Sequence, residues 1–474
     1  MAETEQKRSS LDVRAVPEPG NDHVYAASKL GEEELEAHEV FRQTSEGVQF
    51  RTVSWQRASF IFLKITFSLG ILSIPTALYS LGAVGGALSI VGWQIINTYL
   101  TFVQGDFRNR HPECHTLIDM CYKLGGAPLR ELCGLIFLVG YILVVGSGIT
   151  GLSVAFNALS EHSLCTVWWN FIALIIVTIC ALPRTMKNMG WVTMAGFISL
   201  FVAILIVVIG VTTRSRPAAA PETGDFELGY YAIAYPDFVA GMTATATIFI
   251  STSGSSAFLP VISEMRRPRE YKKAVIICMA IVFSCYLSFS LVVYRWCGAW
   301  IANPSLGSAG NTLKKVSYGI ALIGLIASTS INQHVAAKYV FVRVLRDSHH
   351  LQENTVVHWV TWVGCVVVSG VIAFILAESI AIFSYLLALA GSLCFAPMAL
   401  IIPGFLYLYD YKGYRSGTVL QKAKWYAHCF VPLLGAFITV GGTYAAAKSI
   451  QGAYASGTVG SAFSCADNSN TVAG

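Results

Sequence analysis

The sequence has little charge. Only 12% of its 474 residues are Asp, Glu, Lys or Arg, where soluble domains carry about 25%. Common catalytic signatures are also missing. There is no H-E-x-x-H, no G-x-S-x-G and no phosphate-binding G-x-x-x-x-G-K-[ST]. We therefore expect no enzyme. No N-x-[ST] glycosylation site occurs to orient the chain. Cys114, Cys121, His111 and His115 cluster in one polar loop, but not at the spacing of a standard zinc site, so no metal is expected.

Apolar residues make up 54% of the chain, and the mean hydropathy is +0.58. So large a surplus does not fit inside one soluble core, which implies an integral membrane protein. The apolar runs are about 20 residues or longer, as a membrane helix needs; barrel strands need only about 10 and alternate. Eleven runs fall at about residues 58–80, 84–105, 129–157, 167–183, 189–213, 237–263, 273–297, 315–342, 355–376, 379–409 and 426–447. Residues 1–52 read as a disordered cytosolic tail, not a signal peptide, with a short helix around Glu32–Val40. Residues 53–448 read as the membrane domain, and residues 449–474 as a short extracytosolic tail.

With the N-terminus inside, about 25 of the 32 Lys and Arg fall in inner segments and about five in outer ones. An odd number of spans then puts the C-terminus outside. This asymmetry accounts for the net charge of +5 without a nucleic-acid partner; membrane lipid is the expected surrounding. Of the twelve cysteines, Cys165, Cys297 and Cys465 lie near the outer face. They are either three free thiols or include a disulfide, with Cys165–Cys465 the pairing preferred.

Two runs contain helix breakers. The first holds Ser68-Leu69-Gly70, then Pro75. The sixth holds Ser251-Thr252-Ser253-Gly254-Ser255-Ser256, then Pro260. Equivalent points of spans one and six are five helices apart, so the two segments cross in opposite directions. That is the pattern of an inverted-repeat transporter. A break frees backbone N–H and C=O groups, which is tolerated where they face a binding cavity. Freed helix N-termini favour a carboxylate, and freed carbonyls favour an ammonium or a cation. A zwitterionic amino acid matches both. No acidic residue lies near either break, so a neutral side chain is favoured. Small residues at the breaks, with Tyr141, Phe249 and Tyr385 nearby, leave room for an aliphatic or aromatic one.

The first-span "SLGILSIPTALYSLG" and the sixth-span "TIFISTSGSSAFLPVISEMRRPREYKKA" resemble the amino acid/auxin permease family, over roughly residues 50 to 450. In detail the chain is similar to fungal permeases for neutral aliphatic and aromatic amino acids. The resemblance implies an all-α membrane protein with a leucine-transporter-like fold: a 5+5 inverted repeat, discontinuous helices 1 and 6, and one extra helix. It also implies secondary active uptake by alternating access, with no cofactor. Ser68, Leu69, Gly70 and Ile71 would hold the carboxylate. Ser68 replaces the first Gly of the family's usual G-x-G, a departure at the carboxylate site. Phe249, Ser251, Thr252, Ser253 and Gly254 would accept the ammonium and shape the pocket, with Tyr141 beside them.

Ionisable residues inside spans are costly. Glu264 and Arg295 lie at span ends, Glu378 in a short turn, and Lys338 near enough to the inner face to snorkel. His334 is a second proton candidate or a structural hydrogen-bonder. Lys64 stands out. It lies six residues before Gly70, about 9 Å along a helix. By the resemblance, its ammonium takes the place of a bound sodium between spans one and eight, with Ser328, Thr329 and Asn332 as partners. Losing its proton would supply proton coupling; alternatively, Lys64 only snorkels to the inner face. The expectation is a plasma-membrane symporter of neutral amino acids coupled to protons. Sodium coupling, a vacuolar location and an amino acid sensor without flux are the alternatives.

Overall fold

The structure, a computed structural model, describes residues 53–67, 69–183, 186–345, 348, 350, 355–457 and 461–469, with the backbone alone over 186–193. The N-terminal tail, its expected helix around Glu32–Val40, and Ser68 lie outside the described residues. Each of the eleven apolar runs is helical. Among the described residues, nine helices are long and apolar enough to cross a membrane, and Thr166–Ala181 is a shorter apolar helix.

The first span is in pieces. Helix α1 (Trp55–Thr66) is capped by Ser54, whose side chain accepts from Arg57 N at 3.4 Å. It ends at Phe67, and a 3-10 turn, Leu69–Leu72, follows. Helix α2 (Ile74–Arg110) restarts the path with Pro75 in its first turn, where the missing N–H costs no hydrogen bond. It carries the second half of span one and all of span two, bent at Gly82 (φ 75°). The bend frees two N–H groups. Ala83 N and Val84 N donate to Tyr231 O and Ala232 O of a crossing loop, at 3.0 and 2.9 Å. That loop passes so close that a Cβ on Gly82 would lie 2.6 Å from Ala234 N.

Helix α3 (Leu117–Ser160) starts twelve residues before the apolar run. A capping box of Thr116 and Asp119 opens it, and it bends at Gly125 and Gly126. Then come α4 (Thr166–Ala181) and α5 (Met186–Thr212). The sixth span is split again. Helix α6 (Phe238–Thr252) gives way to a 3-10 turn, Gly254–Ala257, and then to the five-residue α7 (Leu259–Ser263), with Pro260 in its first turn. Helices α8 (Tyr271–Cys297), α9 (Asn311–Leu345) and α10 (Val356–Ser379) are long. Helix α11 (Phe383–Ala390) runs through two π-helical stretches, Gly391–Phe395 and Pro397–Ile401, into α12 (Ile402–Asp410). Helix α13 (Val419–Ala455) closes the bundle and extends past residue 448.

The two split spans are tied at one face. Val53 N donates to Glu264 O (3.1 Å) and Arg266 N donates to Val53 O (2.9 Å), a short parallel bridge between the entry to α1 and the exit from α7. The opposite face carries a clasp. Cys165 and Cys465 form a disulfide across 300 residues of sequence. Beside it, Asn157 Nδ2 donates to Asn468 Oδ1 (2.8 Å), Asn468 Nδ2 to Ser153 Oγ (2.9 Å), and Lys314 Nζ to Ser469 O (2.7 Å). The tail after α13 is thereby fixed to α3, α4 and α9. Glu378 is not in a turn, as the sequence suggests. It sits in the last turn of α10, 3% exposed, and accepts from Asn170 Nδ2 at 2.8 Å. A buried carboxylate needs such a donor.

Candidate functional site

The two breaks meet in the interior. A Cβ on Gly70 would lie 2.5 Å from Ser251 Oγ, 2.7 Å from Ser251 Cβ and 2.9 Å from Ser251 Cα. Only a glycine permits this approach between the 3-10 turn of the first span and the end of α6. Leu69, Gly70 and Ile71 are buried. Ser73 serves the turn twice, its N and its Oγ both donating to Gly70 O, at 3.1 and 2.8 Å. A new helical turn begins with N–H groups that have no partner inside it.

The sixth-span break is built from hydroxyls. Ser251 Oγ donates to Thr247 O (3.0 Å), Thr252 Oγ1 to Phe249 O (3.2 Å) and Ser253 Oγ to Ile250 O (3.0 Å). Such back-bonding weakens the helical ladder and marks where it ends. Gly254 faces Ile65 and Thr66, which lie 3.6 Å or more from a Cβ built on it. Phe249 packs edge-on to Trp93 of α2, ring centroids 5.0 Å apart. Phe62 of α1 stacks on Phe258 of the sixth span at 4.2 Å. Tyr141 of α3 reaches the same region. Its hydroxyl lies beside Ser256, and its ring lies against Phe137 and Phe395.

Two residues that the sequence did not single out join the site. Asn97 of α2 is 2% exposed and donates through Nδ2 to Thr252 Oγ1 at 2.7 Å. Its Oδ1 is buried with no hydrogen-bond partner among the described residues. Tyr286 of α8 is fully buried and donates to Thr66 O at 2.8 Å and towards Ser251 O at 3.3 Å. The available signal was an amide and a phenol in mid-span, where polar groups need a reason.

The coupling candidates are only partly gathered. Lys64 lines a small cavity with Phe67, Phe197 and Ser328, about 10 Å³ of room for water-sized atoms, near the least that holds one water. Thr329 is turned to α3 instead: its Oγ1 would lie 2.2 Å from a Cβ on Gly148, and it donates to Leu325 O. Asn332 donates to Ser328 O in its own helix at 2.8 Å. Neither lines the Lys64 cavity. His334 is a structural partner of the α4 end. Its Nδ1 bonds Ala181 O at 3.2 Å, and its ring lies edge-on to Trp362. Among the described residues no group of three or more His, Cys, Asp or Glu could hold a metal.

Residues 51–445 match the family model described as transmembrane amino acid transporter protein. A transmembrane transporter of Gibberella moniliformis is 50% identical over 98% of this chain and 97% of its own length. The N amino acid transport system protein of Neurospora crassa is 28% identical over 97% of this chain and 98% of its own length. Among solved structures, the inward-facing conformation of Mhp1 aligns with a TM-score of 0.54 at 14% identity, over 89% of this chain and 94% of that one. The fold is therefore all-helical and leucine-transporter-like. The chain belongs to the transmembrane amino acid transporter family, as a multi-pass integral membrane protein and not an enzyme.

Proposed function

We propose that this protein is a proton-coupled symporter of neutral amino acids, aliphatic and aromatic, working by alternating access. The observation that carries the reading is the contact of Gly70 with Ser251, which puts the freed backbone of both broken spans at one point. The amide groups of Ser68, Leu69, Gly70 and Ile71 would take the carboxylate at a helix start. The carbonyl side of Phe249, Ser251 and Thr252 would take the ammonium, with Asn97 Oδ1 as a further acceptor. Ser253, Gly254 and Tyr141 would shape the side-chain pocket. The absence of acidic residues at either break in the sequence favours a neutral substrate.

Lys64 would hold the place of a coupling cation next to Ser328, and its proton would move with the substrate. The cavity they share supports this; Thr329 and Asn332 would act from one step away. Residues 53–448 would form the transport domain, with a cytosolic tail before it and an extracellular tail after it. The Lys and Arg asymmetry supports that orientation, and so does a disulfide on the C-terminal side, since disulfides persist where conditions are oxidising. The resemblance to fungal permeases favours the plasma membrane, and a vacuolar location would keep the same orientation.

The test is uptake of labelled neutral amino acids by the purified full chain in liposomes, with an imposed pH gradient and no sodium. Accumulation that follows the gradient supports the reading. Sodium-dependent, pH-insensitive uptake would sink the coupling claim. Specific binding without flux would make the protein a sensor.

A further inference from the structure

Breaking two helices frees carbonyl oxygens, and one from each break lies beside the same side chain. In folds of this kind, unwound carbonyls commonly coordinate a cation, whose charge offsets their converging negative ends. Here one carbonyl from each break, Thr66 O and Ser251 O, converges on the phenol of Tyr286, at 2.8 and 3.3 Å. The tyrosine comes from α8, which belongs to neither broken span. Its ring is fully buried, with Phe67 5.9 Å away, so the hydroxyl is held in place by packing.

We propose that the Tyr286 hydroxyl occupies the position between the two breaks that a bound cation would otherwise take, its single O–H shared between the two freed carbonyls with Thr66 O the nearer. A phenol O–H is always present, needs no ion from the medium and adds no charge. Tyr286 is thus a positioning residue: it acts through Thr66 and Ser251, fixing the distance between the two halves of the substrate cradle. A chain that fills this position from its own side chains has one fewer site for sodium. This deepens the proton-coupled reading given above and rests on it for its role in the transport cycle.

The test uses Tyr286→Phe, which keeps the ring, and Tyr286→Asn, which opens room for an ion and offers it an oxygen. The full-length protein in detergent is melted in about 100 mM sodium chloride and in the same concentration of choline chloride. An ion that binds only the folded state raises the melting temperature. The wild type is expected to melt at the same temperature in both salts, while sodium raises the melting temperature of Tyr286→Asn by about 3 °C or more. In the same salts, binding of a labelled neutral amino acid to Tyr286→Phe should weaken about tenfold in choline, the loss of one useful hydrogen bond, and recover at least in part in sodium.

The proposal is overturned if sodium stabilises the wild type, or if sodium changes neither variant. It is also overturned if Tyr286→Phe binds like wild type in choline. Should Tyr286→Phe fail to fold, the melting of Tyr286→Asn decides; should both fail, the wild-type melting pair decides alone. None of the melting measurements depends on flux or on a pH gradient. Failure of proton coupling in liposomes would therefore be seen separately.

Discussion

The two broken spans solve one problem in different ways. In the first, the turn Leu69–Leu72 is apolar, and its help comes from outside: Ser73 from the next helix and Tyr286 from α8. In the sixth, three consecutive hydroxyls bond back onto their own helix, and Asn97 adds a fourth link at Thr252. The first break restarts into a helical segment that runs from Ile74 to the bend at Gly82, the sixth into one of only five residues. The first therefore presents bare backbone at the start of the longer restart, suited to an anion. The sixth presents side-chain oxygens and carbonyls, suited to donors. The asymmetry matches the two ends of an amino acid, and it can be attacked residue by residue.

The largest effect should come from the close contact between the two breaks. Gly70→Ala puts a methyl 2.9 Å from the Ser251 backbone, where nothing can rotate away. Overpacking of this kind costs about 1–3 kcal/mol in stability, and uptake should fall below detection. Gly254→Ala, with no atom nearer than 3.6 Å, should keep uptake measurable: its methyl narrows the side-chain pocket without a clash that would cost stability. If the two variants behaved alike, the breaks would not differ in the way described. Paired initial-rate measurements in liposomes decide this.

Next comes the charge on one side only. The first span carries Lys64 before its break, and the sixth has no ionisable residue between Asp237 and Glu264. Lys64→Gln should cut gradient-driven uptake about tenfold or more, the size expected when one charge-assisted interaction is lost. Exchange of substrate at equal pH should survive. Equal loss of both activities would assign Lys64 to the fold instead.

A smaller change is expected from Asn97→Ala. It removes one hydrogen bond to Thr252, worth about 0.5–1.5 kcal/mol, and the Oδ1 acceptor proposed for the ammonium, so substrate affinity should fall at least roughly two- to tenfold. Binding measured by isothermal titration would show it, with aliphatic and aromatic substrates affected alike. The smallest effect lies far from both breaks. Glu161, just past the end of α3, pairs with Lys315. The hydrogen bond and charge of Lys315 hold its carboxyl below the usual value. A carboxyl with a lowered folded pKa stabilises above its unfolded pKa and loses that contribution as pH falls through the folded one. Acid should thus remove a small contribution as pH falls below the ordinary glutamate value of 4.5, and Glu161→Gln should abolish that step in the melting profile while leaving uptake unchanged.

The sequence revealed more of the fold than of the site. All eleven helical segments, both breaks and both prolines could be read from apolar run length and from Gly and Pro, because these are local signals. The bend at Gly82 was not read, since the loop that satisfies Ala83 and Val84 arrives from residues 231 and 232. Nor were the π-helical stretches after Ala390. There, Gly391 packs so closely that a Cβ would lie 2.8 Å from Ala246 O, a tertiary cause, although Pro397 at the start of the second stretch was a local mark. Tyr286 and Asn97 were missed for the same reason: their partners lie 35 to 220 residues away. Lys64 was conspicuous as a lysine in an apolar run, but which neighbours it meets depends on how α9 turns. That turn brings Ser328 to it and points Thr329 elsewhere.

The most direct measurement follows labelled neutral amino acid into sodium-free liposomes that contain the wild-type chain, with and without an inward proton gradient. A proton-coupled symporter accumulates it above equilibrium only with the gradient, and a protonophore or Gly70→Ala abolishes the accumulation. Uptake that ignores the gradient, or that requires sodium, would contradict the proton-coupled reading.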